Sequence, residues 1–469
     1  MDSMTDLPLD ALGIATAIRN RQTTALAVTE AALARIAALD PSLNAFTAVT
    51  AERARAEAAA IDAALARGEN PGLLAGVPFA VKNLFDLEGL PTLAGSKIER
   101  EAAPATADAF LVRKLSAAGA VCLGALNMDE YAYGFTTENA HDGPAHNPHD
   151  LTRVAGGSSG GSTAAVAAGL VPLSLGSDTN GSIRVPAALC GIWGLKPTYG
   201  RLSRRGSYPF VAAFDHLGPF ARTLPDLAVA YDLLQGDDPE DPAQQQRLFE
   251  PTTPALTQSI AGMRVKIGGG HFARSAKPEA YAAVAKVAET LGATETVEFK
   301  LAAIGRAAAF LITMAEGGNL HLPDLKTRPN DFDPGTRDRF LAGTLLPATW
   351  IVQAQRARAA WQAEALAAFQ EMDVLITPCL PCTAPLIGQE TMEMDGVTVP
   401  VRPHLGIFTQ PISCIGLPAM AVPLKDYRSV GATMPISVQI VAKPWNEAAL
   451  FRVAKALVDA GIAGAPELP

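Results

Sequence analysis

The sequence predicts an α/β fold built as a single large domain, and three observations carry that reading. Short apolar runs with strand character alternate with helical periodicities along the chain. Of the 469 residues 49% are hydrophobic, enough to bury a large core. Length alone suggests two or three domains, but the candidate motifs run from Lys82 to the Gly416 region without a long charged or low-complexity linker, which favours one domain over 1–469. In chain order, the Ala-rich segment 1–65 has charges spaced for helices over 26–39 and 51–65 and reads as an outer helical layer. Residues 77–81 read as a strand, 107–118 as a helix with Phe110, Leu111 and Leu115 on one face, and 120–123 as another strand. The alternation continues with a helix over 162–170, a strand over 172–175, a strand–helix pair over 264–267 and 278–291, and strands over 373–376, 419–422 and 436–441. A helix-rich insertion, 301–370, interrupts it and is a natural place for substrate-specific walls.

Charge and composition narrow the function. A net charge of −9 opposes a dominant electrostatic role in nucleic-acid binding. The start, Met1-Asp2-Ser3-Met4-Thr5-Asp6, lacks the basic and apolar regions of a secretory leader. The longest apolar stretch, 164–175, contains Gly169 and Pro172 and is too short to span a membrane. Five cysteines, an odd number, fit a reducing cytoplasm better than a disulfide framework. Cys379 and Cys382 have the spacing of half a zinc site, but no second Cys/His pair accompanies them and Pro378 and Pro381 interleave, so a loop near the site is expected. The seven histidines show no metal-ligand spacing, and no dinucleotide or P-loop fingerprint surrounds the glycines; neither metal nor cofactor is expected.

The chemistry lies in two Gly-rich stretches. Ala155-Gly156-Gly157-Ser158-Ser159-Gly160-Gly161-Ser162 and Ser177-Asp178-Thr179-Asn180-Gly181-Ser182-Ile183-Arg184 put hydroxyls among glycines that let backbone N–H groups face a ligand. A serine attacking a carbonyl needs a base and donors aimed at the developing oxyanion, and such turns supply the donors. Gly76-Val77-Pro78-Phe79-Ala80-Val81-Lys82 offers the base, a lysine closing an apolar run. To accept a proton near pH 7 it must fall from a pKa of about 10.4 by roughly 3.4 units, a shift that burial can supply. Lys196, in Gly194-Leu195-Lys196-Pro197-Thr198, is the rival base, with a setting that looks structural.

Together these motifs resemble the amidase signature family, and Asn127-Met128-Asp129-Glu130, Thr377-Pro378 and Gly416-Leu417-Pro418-Ala419 extend the likeness over most of the chain. The resemblance implies a twisted mixed β-sheet core surrounded by helices. It also implies a Ser-Ser-Lys triad with Ser182 as nucleophile, Lys82 as base, and Ser158 as a bridging serine beside a cis peptide bond. The N–H groups of Thr179, Asn180, Gly181 and Ser182 would form the oxyanion hole; Asn180 stands where the family often has glycine. Asp178 and Arg184 would support the turn as an ion pair. Within the family, 127–148 resembles the catalytic subunit of the glutamyl-tRNA amidotransferase, a glutamine-hydrolysing rival. Gly406, however, precedes Ile407-Phe408-Thr409 where that protein has an aspartate. The stretch 402–411 looks more like the carboxybiuret hydrolases, implying a small anionic urea-like amide substrate. That likeness also implies a homodimer core with a small helical accessory subunit, and arginines to fork the carboxylate, with Arg339 and Arg402 as candidates. A general small-amide amidase is the remaining alternative.

Overall fold

Eleven strands of the computed structural model, which describes residues 10–468, form one mixed sheet. The segment Met1 to Asp6, read above as lacking a leader, lies outside the described residues. The strands are β1 (Phe46–Val49), β2 (Pro78–Lys82), β3 (Val121–Leu126), β4 (Leu173–Asp178), β5 (Trp193–Lys196), β6 (His216–Ala221), β7 (Val265–Gly268), β8 (Thr296–Val297), β9 (Val374–Pro378), β10 (Ala419–Pro423) and β11 (Ser437–Ala442). Their order across the sheet is β1-β3-β2-β4-β6-β5-β10-β11-β9-β7-β8. The trio β3, β2, β4 is parallel, as is β9, β7, β8, and antiparallel pairs join the two trios through β6, β5, β10 and β11. β2 is buried along its whole length, which is why Pro78 to Val81 reads as an unbroken apolar run rather than an alternating one, whereas the equally buried β4 carries Ser174, Ser177 and Asp178.

Helices cover this sheet. The N-terminal layer is α1 (Ala11–Arg19), α2 (Ala25–Leu43) and α3 (Ala51–Ala66), with Asp10 and Thr24 capping the first two from their side chains. Next come α4 (Phe110–Ala117), α5 (Gly160–Ala167), α6 (Arg184–Cys190), α7 (Leu224–Leu234) and α8 (Pro278–Leu291). The segment read as an insertion holds α9 (Ala302–Leu320), α10 (Leu322–Thr327), α11 (Pro334–Thr344) and α12 (Ala348–Ala368), with α11 and α12 both packed on α9. Two single turns, α13 (Val401–His404) and α14 (Gln410–Ser413), precede the C-terminal α15 (Glu447–Asp459). No helix among the described residues is long and apolar enough to cross a membrane.

Several boundaries differ from the sequence reading. α4 starts at Phe110 rather than 107, and Val112 joins Leu111 and Leu115 on its buried side while Phe110 is half-buried. α5 starts at Gly160, two residues before the expected 162. The strand expected over 172–175 runs on to Asp178, because its ladder with β6 continues through Leu217↔Ser177 and His216↔Asp178. That extension brings Ser177 and Asp178 into the sheet, five and four residues before Ser182.

Candidate active site

The turn that carries Ser182 leaves the end of β4 and enters α6. At its centre Gly181 has φ +139, and a Cβ there would lie 2.1 Å from Thr409 Oγ1, so both conformation and space demand glycine. Thr409 Oγ1 uses that close approach to donate to the Asn180 carbonyl at 2.8 Å. Asp178 and Arg184 flank the turn as a fully buried pair, with Nε to Oδ2 at 3.0 Å and Nη2 to Oδ1 at 3.1 Å. Ser413 Oγ donates to Asp178 Oδ1 at 2.7 Å, and Arg184 donates onward to Gln439 Oε1 at 2.7 Å and the Thr409 carbonyl at 3.1 Å. Burial alone would raise the Asp178 carboxyl; the Arg184 guanidinium outweighs it, aided by Lys196 and the Ser413 hydroxyl, and holds it well below the usual carboxylate range. On the other flank, Thr179 Oγ1 donates to Asp215 Oδ1 at 2.7 Å, and Asn180 Nδ2 donates to Thr313 Oγ1 at 2.9 Å. None of the N–H groups of Thr179, Asn180, Gly181 and Ser182 donates to a backbone carbonyl among the described residues, so all four keep free valences.

Lys82 ends β2 and is fully buried. Its Nζ lies 2.6 Å from Ser158 Oγ and 2.9 Å from Ser177 Oγ. Burial pulls the amine down to about 7, against the opposing pull of Asp129, Asp178 and Asp215, so a neutral base exists at neutral pH. The Gly157–Ser158 peptide is cis. Of the two contacts that the expected relay needs, Lys82–Ser158 is made, whereas no hydrogen bond joins Ser158 Oγ to Ser182 Oγ. A catalytic hydrogen bond of this kind commonly tightens only when substrate is bound.

Ser182 borders a cavity walled by Tyr133, Phe135, Phe210 and Phe310, with Thr313, Gln410 and Arg339 as polar groups. Arg339, on α11, donates from Nε to the Gly335 carbonyl at 2.7 Å and lies over the Tyr133 ring, 4.2 Å from its centroid. Arg402 is placed differently. It donates to Thr136 Oγ1 and to the Glu138 carbonyl, both at 3.1 Å, sits 3.8 Å from Asp129 Oδ1, and is not among the residues bordering the Ser182 cavity. Its donors are committed to the 136–138 segment, which the spacing of a lone arginine could not reveal. Lys196 is buried and pushed well below its ordinary value, first by burial and then by Arg184, but its Nζ donates to the Pro197 carbonyl at 3.1 Å and contacts no serine. Cys379 points at the Arg184 carbonyl and Cys382 at Met392 Sδ; burial raises both thiols to about 12.

Sequence reasoning assigns no role to Ser177, Thr409, Ser413, Gln439 or Gln410. Ser177 has a local signal, one position before Asp178 in the same motif. Thr409 and Gln410 lie in the stretch 402–411 singled out for its resemblance, which gives them a segment but no role, whereas Ser413 and Gln439 have no signal and meet the turn across 235 and 255 residues.

The amidase family model matches residues 27–451. AtzE, a 1-carboxybiuret hydrolase component from Pseudomonas sp. (strain ADP), is 57% identical over 446 residues, spanning 95% of this chain and 97% of that protein. The A component of the glutamyl-tRNA(Gln) amidotransferase from Anaeromyxobacter sp. (strain K) is 39% identical over 457 residues, 91% of each. A solved structure of an s-triazine catabolic enzyme in a vestigial protein complex, inhibitor-bound, matches with a TM-score of 0.95 and 56% identity, over 97% of this chain and 99% of that one.

Proposed function

The chain belongs to the amidase family, and from that premise we propose that it is the catalytic component of an amidohydrolase that releases ammonia from a small anionic ureide, 1-carboxybiuret being the best match. One observation carries the substrate class: Ser182 shares its pocket with the Arg339 guanidinium, which forms no ion pair among the described residues. The full-length likeness to the 1-carboxybiuret hydrolase AtzE supports the particular ureide.

Neutral Lys82 takes the proton of Ser158 as Ser158 takes that of Ser182, and Ser182 Oγ forms a bond to the terminal carbonyl carbon. The N–H groups of Thr179, Asn180, Gly181 and Ser182 receive the oxyanion. Collapse breaks the C–N bond, the relay returns its proton to nitrogen, and ammonia leaves. Water, deprotonated by the same relay, then hydrolyses the carbamate ester to a new carboxylate and frees Ser182. Asp178 and Arg184 hold the turn, and Arg339 forks the carboxylate that the substrate already carries. The insertion 301–370 acts as the substrate wall, since α9 supplies Phe310 and Thr313 and α11 supplies Arg339.

The likeness to the amidotransferase component favours glutamine hydrolysis as a second reading. Against it, Gly406 has no room for a carboxylate that could bind an ammonium: a Cβ there would lie 2.5 Å from the Phe135 ring. The assembly we propose is a homodimer core with a small helical accessory subunit, in keeping with the complex described for the s-triazine enzyme. A panel of ureides, glutamine and neutral amides with ammonia detection tests the reading. Turnover of carboxylated ureides that disappears in Ser182→Ala is the expected result; activity confined to glutamine or to neutral aryl amides would overturn it.

A further inference from the structure

Two guanidinium groups lie beside the Ser182 pocket without a carboxylate in ion-pair contact among the described residues. One is Arg339. The other is Arg306 on α9, half-buried and lowered to about 10 by burial, with no acidic neighbour opposing the shift. Arg306 donates from Nη2 to the Pro403 carbonyl and from Nε to Gln410 Oε1, each at 2.9 Å, and its guanidinium lies over Phe310. Pro403, Gln410 and Phe310 all border the cavity.

The second bond decides an orientation. A guanidinium carries donors only, so Gln410 must turn its carbonyl oxygen to Arg306, and its Nε2 becomes the free end of the amide. Gln410 is 2% exposed, and Nε2 has no hydrogen-bond partner among the described residues. Nε2 is not one of the fully buried polar atoms without a partner, so this end of the amide is accessible from the cavity that Gln410 borders, where a ligand can accept from it. Gly406 leaves room for this side chain, since a Cβ there would come within 3.2 Å of Gln410 Cδ.

We propose that Gln410, with its amide oriented by Arg306, is a substrate-binding donor that works with Arg339 to hold the carboxylate end of the substrate. Arg306 is then a positioning residue, acting through Gln410. The inference rests on the anionic-ureide reading and adds its specificity determinant: the Arg339 guanidinium and the Gln410 Nε2 end present donors at the same pocket, which suits an oxyanion and disfavours an ammonium.

The test measures ammonia release by the full-length enzyme from freshly generated 1-carboxybiuret and from its uncarboxylated parent, biuret. Gln410→Leu is expected to raise KM for the carboxylated substrate by about tenfold or more, with kcat and the kcat/KM for biuret changed by less than about threefold. Gln410→Glu, which keeps the shape and the acceptor but adds negative charge, should raise that KM further. Arg306→Gln should give a smaller rise that disappears in the Gln410→Leu background, a coupling that a purely structural role would not produce. If both Gln410 variants lower activity on the two substrates equally, or leave KM for the carboxylated one unchanged, the proposal falls while the ureide reading stands. A wild-type enzyme with no preference for the carboxylated ureide would overturn both.

Discussion

Ser182 is the meeting point of two regions whose polar groups are arranged in opposite ways. Around Lys82 and Asp178 the protein satisfies its own charges: the lysine meets two hydroxyls, and the aspartate meets Arg184, Ser413 and the Ile183 N–H. Along the pocket wall, Arg339 and Arg306 are bonded to carbonyls and an amide oxygen and to no carboxylate, and Gln410 Nε2 has no partner among the described residues. Buried groups that satisfy one another fix a shape, whereas groups left with open valences lower the free energy only when a ligand arrives. Substitutions on the two sides should therefore separate stability from affinity.

The largest expected effect is on the closed side. Lys82→Met should abolish turnover, by about 10⁴-fold or more given how triad members act as a unit. It should also raise stability at pH 7, by up to about 4 kcal/mol, because burying a neutralised lysine is costly; matched kinetics and unfolding curves check both. Arg184→Met leaves Asp178 buried and uncompensated and should lower stability by about 3–5 kcal/mol, read as a fall in the unfolding midpoint. Arg339→Met, on the open side, should raise KM for a carboxylated ureide by about 10–100-fold while leaving stability within about 1 kcal/mol; a large loss of stability there would erase the distinction between the regions.

The smallest effect is a pH dependence. With neutral Lys82 as the proposed base, log kcat/KM should rise with unit slope below pH 7 and flatten above it, where an unperturbed lysine would keep the limb rising to about 10. The sign for stability follows from the same shift. Between about 7 and 10 the unfolded chain binds the proton and the folded chain does not, so this lysine makes stability increase with pH across that window, and below 7 its penalty is complete. Lys82→Met should remove that slope.

Much of the frame is legible because its signals are local. α8 matches at both ends: Pro278 begins it and Gly292, in the left-handed region, stops it. β6 escapes sequence reading because Gly218 and Pro219 argue against a central strand, yet Pro219 sits opposite Leu175 in the middle of the sheet. Lys82, Ser158 and Ser182 can be read from motifs, since each hydroxyl or amine sits in a patterned stretch. Arg402 and Gln410 show where such reading ends. One carries a charge and is bonded to the 136–138 segment without bordering the cavity, the other carries none and borders it, and only tertiary packing distinguishes them.

The clasp between Thr409 and Asn180 joins residues 229 positions apart, and Gln439 reaches Arg184 across 255. A chain that ends before Thr409 lacks both contacts with the Ser182 turn, so a truncation at that point is expected to release no ammonia from any ureide even where the N-terminal strands fold.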